Sequence, residues 1–214
     1  MNKAQVSSIV QIFELMLGGI LAVALGYTLV GGHASITQIS YENELERHSI
    51  TLANAFSSNP STVYWDGNKF YRDIFDSKKL NNLMVTKNSF TSDWKNNLQP
   101  NPTLSSILSY PDSYSLIIIL DLENSNNAWV TSLSGPNDKF DLNKFIDCLK
   151  TNVVDSDIAK LFDLNNLNTN LHEIFKIEKC GSFYSGVLDY GFPVSIRYSD
   201  NEIHAGLLKV LVVE

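Results

Sequence analysis

An apolar run near the N-terminus constrains this chain more than any other feature. It extends from Ile9 to Val30, and its only strongly polar members are Gln11 and Glu14. A helix of this length spans roughly 33 Å, which is enough to cross a hydrocarbon core of about 30 Å. The run therefore predicts one transmembrane helix over residues 5–32.

Glu14 is the costly residue of this run, because a carboxylate near the centre of a membrane helix costs about 2.5–3.5 kcal/mol on insertion scales. Glu14, Gly18, Ala22 and Gly26 recur every four residues and so share one face of the helix. Small residues at this spacing let two membrane helices approach closely. We expect this face to mediate helix–helix assembly. The alternative is that Glu14 lies at the membrane boundary and extends to water.

The flanking charges predict the orientation of the helix. Lys3 and the α-amine precede the run, whereas Glu42, Glu44 and Glu46 follow it. This asymmetry favours a cytoplasmic N-terminus and an extracellular C-terminal domain. The net charge of −7 and the lack of a basic cluster argue against nucleic acid or an anionic membrane surface as a partner.

The tetrapeptide "KAQV" directly precedes the apolar run. It resembles the class III signal of archaeal type IV pilin-like proteins, in which a prepilin peptidase cuts after Gly or Ala and the helix is retained. The resemblance implies a leader of residues 1–4, cut between Ala4 and Gln5. It covers about the first 30 residues, and Ile9 stands where the family has a glutamate. Two alternatives remain: a signal peptide cut after Ala34, and an uncleaved anchor.

The segment after the membrane run predicts a second, amphipathic half of the same helix. Residues 33–57 contain neither Pro nor Gly, and their apolar residues recur at roughly helical spacing. We therefore expect a helical stalk over this range, separated from the membrane half by Gly31 and Gly32. Pro60 predicts its end. In pilin-like proteins this half of the helix packs against the globular head.

The remaining residues, 58–214, predict an extracellular α+β head. Hairpins are expected around Asp66–Gly67 and Asp200–Asn201, and a further strand pair flanks the polar stretch "DLENSNN". Residues 141–150 predict a helix capped by Asp141, and "DSDIAKLFDL" predicts a second short helix. The predicted architecture is one long N-terminal helix lying on an antiparallel sheet, with short helices inserted mid-chain.

The two cysteines, Cys148 and Cys180, are candidates for a disulfide in an exported domain. Closing this loop contributes roughly 3–3.5 kcal/mol in the chain-entropy model. The alternative is a pair of buried free thiols.

A search for chemistry predicts no catalytic, cofactor or metal site. The histidines never occur at the spacing of a helical metal pair, and "DLENSNN" lacks the glycine and final glutamate of a calcium loop, which favours a solvated turn. Four aromatic residues could bind a ligand or pack across two strands: Tyr64, Trp65, Phe70 and Tyr71.

The sequence therefore favours a non-enzymatic, pilin-like surface subunit that assembles through its N-terminal helix with copies of itself or with other envelope proteins. The alternative is a membrane-tethered extracellular binding or sensor domain, or a subunit of a heteromeric envelope complex.

Overall fold

The computed structural model describes residues 43–109, 111–136, 140–167, 171–181, 185–187 and 191–214. The predicted leader, transmembrane helix and Glu14 face lie outside these ranges. Within them, no helix is both long and apolar enough to cross a bilayer. Residues 42–214 form one compact unit.

The first described helix, α1, covers residues 43–56. The helices that follow are α2 (Ser77–Leu83), α3 (Lys87–Ser92), α4 (Trp94–Asn97), α5 (Pro102–Leu108), α6 (Leu142–Asn152), α7 (Asp155–Lys160) and α8 (Leu171–Phe175). Short 3₁₀ turns lie at Leu164–Asn166 and Ile177–Cys180. The strands are β1 (Val63–Trp65), β2 (Phe70–Asp76), β3 (Val85–Thr86), β4 (Tyr114–Asp121), β5 (Ala128–Ser134), β6 (Ser185–Val187), β7 (Phe192–Ser199) and β8 (Glu202–Val213).

These strands form a single sheet in the order β1-β2-β7-β8-β4-β5-β3, and β6 also pairs with β8. The three predicted hairpins, β1–β2, β4–β5 and β7–β8, are confirmed as antiparallel pairs. The expectation of an antiparallel sheet holds only in part, because β2 and β7 run parallel, with Ile74 opposite Ser195. This pair joins the first hairpin to the last one.

Helices cover both faces of the sheet, and each face has its own apolar core. Helix α1 packs Leu45, Leu52, Ala53 and Phe56 into one core, together with residues of α2 and α5. Helices α3, α4, α6, α7 and α8 contribute to the core on the opposite face. Strand β4 is buried along its whole length and supplies alternate side chains to the two cores. Its continuous apolar sequence follows from this position between two helical layers.

The predicted helices at 141–150 and in "DSDIAKLFDL" are confirmed as α6 and α7. The Asp141 side chain caps α6 by accepting a hydrogen bond from the Lys144 N–H, and Phe145, Ile146 and Leu149 are buried on one face. Helices α2 to α5, by contrast, were not predicted, since they are only four to seven residues long. Such helices are shorter than the window in which periodicity is measured.

The two ends of the sheet differ in which segments they carry. Glu214 and the β1–β2 turn lie at what we call the proximal end, and the Asp200–Asn201 turn and the β4–β5 turn lie at the distal end. His48 of α1 contacts Glu214 with 3.3 Å between Nδ1 and Oε1, whereas Ser57, just after α1, accepts a hydrogen bond from the Asp73 N–H farther along the sheet. Helix α1 therefore begins near the proximal end and runs toward the distal end.

Candidate functional site

The β1–β2 hairpin presents the most exposed aromatic side chains of the described residues. Trp65 is 52% exposed and Phe70 is 48% exposed. Their rings stack across the hairpin with 5.9 Å between centroids, and Tyr64 stacks on Tyr71 in the same way at 5.5 Å. We call these four residues the aromatic hairpin. The expected packing across the two strands is confirmed, and two large apolar surfaces remain in solvent, while ligand binding stays a prediction.

Asp66 fixes the turn of this hairpin. One of its oxygens accepts hydrogen bonds from the backbone N–H groups of Asn68 and Lys69, and the other accepts one from the Tyr71 hydroxyl at 2.6 Å. The hydrogen bond from Tyr71, followed by those from Lys69 and Asn68, lowers the pKa of Asp66 to about 2. Gly67 has a φ of +97°, a conformation that favours glycine. The tip is therefore a pre-organised turn.

Cations lie against both ring pairs. The Arg197 guanidinium lies 3.6 Å from the centroid of the Tyr64 ring, and Lys69 Nζ lies 4.6 Å from that of Tyr71. Lys79 Nζ is 5.6 Å from the Phe70 ring, and it donates hydrogen bonds to the backbone carbonyls of Pro60 and Val63. These contacts hold the rings of the aromatic hairpin in place.

A second polar cluster, at the distal end, was not predicted from the sequence. Asp121, the first residue of "DLENSNN", is fully buried. Its Oδ2 accepts hydrogen bonds from the Tyr198 hydroxyl and the His204 imidazole, both at 2.7 Å, and its Oδ1 accepts two backbone N–H bonds from Glu123 and Asn124. The stretch is thus a hairpin turn, as expected, but one whose first carboxylate is an internal anchor.

The pKa shifts of its two main members favour the ion-paired form of this cluster. Burial raises the pKa of Asp121, but the hydrogen bonds from Tyr198 and His204 outweigh it and leave the pKa below its ordinary value. The hydrogen bond to Asp121 raises the pKa of His204. The other imidazole nitrogen, Nε2, faces Glu202 Oε1 at 3.5 Å. When it is protonated, an imidazole held between two carboxylates is suited to joining strands, since it then has no lone pair with which to act as a base.

The structure contains the predicted disulfide. Cys148 of α6 and Cys180 are bonded, with 5.7 Å between their Cα atoms. The bond ties α6 to the segment that follows α8, on one face of the sheet. The remaining predicted site residues lie outside the described ranges, namely Ala4, Gln5, Glu14, Gly18, Ala22 and Gly26.

Metal-ligand side chains do not cluster in the part of the chain that the structure describes, where no group of three or more His, Cys, Asp or Glu residues is placed to hold an ion. The aromatic hairpin is the strongest candidate site because two of its rings are about half exposed on a fixed turn, and its chemistry is that of a contact surface. Compared with protein-family models, curated proteins and solved structures, the chain matches none of them.

Proposed function

We propose that this chain is a single-pass, pilin-like surface subunit that assembles through its N-terminal helix and carries an extracellular head. The observation that carries the proposal is the packing of α1. Its buried residues Leu45, Leu52 and Phe56 lie in the core of the head, and the chain before it contains the apolar run. A helix that is apolar in its first half and docked on a sheet in its second half is the design implied by the "KAQV" resemblance.

Processing of the N-terminus tests the membrane part of the proposal. The mature chain, isolated from its native membrane, should begin at Gln5, with the apolar run retained. A first residue at Ser35 would establish a cleaved signal peptide, and an intact Met1 would establish a plain anchor; either outcome overturns the pilin-like assignment. Ala4→Leu is the matched variant, because it alters the cleavage site while leaving the apolar run unchanged.

Assembly tests the role of the Glu14 face. Cleavage would place the new α-amine nine residues before Glu14, about 13.5 Å along a helix. A neighbouring subunit shifted by that distance would bring its amine to this carboxylate, which would keep Glu14 charged. Glu14→Gln and Gly18→Leu should each leave membrane insertion intact and reduce crosslinked oligomers. Val23→Leu, a position off the Glu14 face, is the control. Oligomers unchanged in both test variants would contradict this role.

The aromatic hairpin favours a second candidate function, a membrane-tethered binding domain. A stacked pair of half-exposed rings on a fixed turn is a surface suited to contact. Crosslinking in the native membrane separates the two functions: a ladder of identical subunits supports the structural subunit, and a single heteromeric product supports the binding domain.

A further inference from the structure

The position of the aromatic hairpin in the sheet suggests what it contacts. Ile74 pairs with Ser195, which pairs in turn with Ala205 of β8. Phe70 precedes Ile74 by four residues, so it lies further toward the C-terminal end of β8, and the turn lies beyond it. Trp65 is opposite Phe70. Both exposed rings therefore lie at the proximal end, near which α1 begins.

A second exposed apolar residue lies at the same end, toward the opposite edge of the sheet. Ile107, near the end of α5, is 56% exposed. Helix α5 runs along β5 toward the proximal end, since Asn101 donates its N–H to the Ser132 carbonyl and Ser105 Oγ accepts from the Ser134 N–H. In the sheet order, β8 with Glu214 lies between β2 and β5. The exposed rings of the aromatic hairpin and the Ile107 side chain thus lie on either side of β8. Glu214, which follows β8, is the residue that His48 of α1 contacts.

We propose that Trp65 and Phe70 insert into the interfacial layer of the membrane that carries the chain, with Ile107 as a second point of contact. This inference rests on the membrane anchor of the proposed function. Trp is enriched at membrane–water interfaces, where its ring meets both apolar and polar surroundings. Lys69, next to the tip, has a long stem that can keep its ammonium among the headgroups.

Chain length allows this contact. The twelve residues from 31 to 42 separate the apolar run from the first described residue of α1. They reach about 18 Å as a helix and at most about 40 Å when extended, and they include Gly31 and Gly32.

The two-point arrangement favours a flat surface over a second copy of the chain. A protein partner normally covers one contiguous patch with an apolar centre, whereas the exposed rings and Ile107 are separated by several strands. The net charge of −7 gives the chain no overall attraction to anionic lipid, so the contact should form on zwitterionic lipid.

Tryptophan fluorescence of the full chain in phosphatidylcholine vesicles tests the proposal. The chain contains three tryptophans, and Trp94 and Trp129 are each only 2% exposed. Lipids brominated near the headgroup should reduce the emission of the parent protein. Trp65→Phe should lose this quenching, because only the two buried tryptophans remain. A tryptophan placed at the distal end instead, by Ile203→Trp in the Trp65→Phe background, should not be quenched by these lipids. Ile203 is 51% exposed, so it matches Trp65 in exposure.

Flotation of the same vesicles separates this inference from the proposed function. If the chain floats with the lipid and Trp65 is not quenched, the interfacial contact is wrong and the anchor stands. If the chain does not float, the anchor fails and the inference fails with it.

Quenching of the distal tryptophan would show non-specific collapse onto lipid. A blue shift of Trp65 that follows the protein-to-lipid ratio would identify a second copy as the occupant. Either result overturns the proposal.

Discussion

His204 Nδ1 lies 2.7 Å from the Oδ2 atom of Asp121, and this contact joins the β7–β8 hairpin to the end of β4. Tyr198 donates a hydrogen bond to the same oxygen from the neighbouring strand. Three strands thus meet at one buried carboxylate. Since folding lowers the pKa of Asp121 and raises that of His204, the stability of the head should depend on pH through this pair.

We expect His204→Gln to change that dependence. The folded-state pKa of His204 lies above 6.5, so its stabilisation is complete below pH 6.5 and is lost as the pH rises through the raised pKa. The pKa of Asp121 is lowered, so its contribution is present above pH 3.8 and is lost as the pH falls through the lowered value. The pair therefore stabilises most between about pH 4 and 6.5.

Urea unfolding at pH 5 to 9 measures this effect. His204→Gln should lower the free energy of unfolding by about 1–3 kcal/mol at pH 5–6 and by less at pH 9. His172→Gln is the control, because the His172 side chain is 38% exposed and meets Glu178 at 3.6 Å. If the free energy of unfolding changes equally with pH above 6.5 in the parent and in His204→Gln, the His204–Asp121 pair is not the source of the pH dependence.

Asp157 predicts a second pH effect, on the acid side. Its carboxylate contacts Lys160 Nζ at 2.8 Å and Lys176 Nζ at 2.5 Å. The hydrogen bonds from Lys160 and Lys176 lower the pKa of Asp157 to about 2. The stabilisation is therefore present above pH 3.8 and is lost as the pH falls toward 2. Asp157→Asn should reduce the loss of stability between pH 4 and 2, as measured by urea unfolding. Asp163→Asn, on a neighbouring turn, is the control and should leave this loss of stability unchanged.

Removal of the disulfide should destabilise the head. The bond closes a loop between residues 32 positions apart, and the chain-entropy model gives about 3–4 kcal/mol for such a loop. The Cys148→Ser/Cys180→Ser variant should lower the free energy of unfolding by about that amount. Dithiothreitol should lower the stability of the parent toward that of the variant and leave the variant unchanged. An unfolding midpoint that is the same for the parent and the double variant would contradict the prediction.

Gly206 should not tolerate a larger residue, because β4, β7 and β8 approach closely there. A Cβ atom at this position would lie 2.8 Å from Ile196 Cδ1 and 3.1 Å from the Leu120 carbonyl oxygen. Gly206→Ala should cost about 1–3 kcal/mol through overpacking. Ile196→Val removes the nearer atom, so the two substitutions should be less than additive in thermal or urea unfolding. Full additivity would show that the Ile196 side chain is not the obstacle.

The sequence predicted those parts of the fold that depend on neighbouring residues. The turn at Asp66–Gly67 specifies its hairpin through local hydrogen bonds, and Asp141 specifies the start of α6 in the same way. The parallel pairing of Ile74 with Ser195 joins residues more than a hundred positions apart, and their own neighbourhoods carry no signal for it. Such pairing depends on how the whole sheet packs.

The candidate site could likewise be predicted only where it depends on residues that are neighbours in the sequence. The exposed aromatic residues of the hairpin could be identified from their strand pattern, but the cation that lies on the Tyr64 ring could not, because Arg197 comes from a strand more than a hundred positions away. Asp121 resembled an ordinary turn residue, since its partners Tyr198 and His204 come from a hairpin near the end of the sequence. A buried carboxylate of this kind is visible only once the strands are assembled.

Strand β8 pairs with β4 along one side and with β7 and β6 along the other. It is synthesised after every strand that it joins, so the β1–β2 and β4–β5 hairpins emerge from the ribosome without the strand that connects them. Each hairpin would meanwhile expose apolar side chains, and an isolated two-stranded hairpin is only marginally stable in water. The sheet that joins the two hairpins can therefore form only after β8 has been synthesised, which makes the complete fold a late event for this part of the chain.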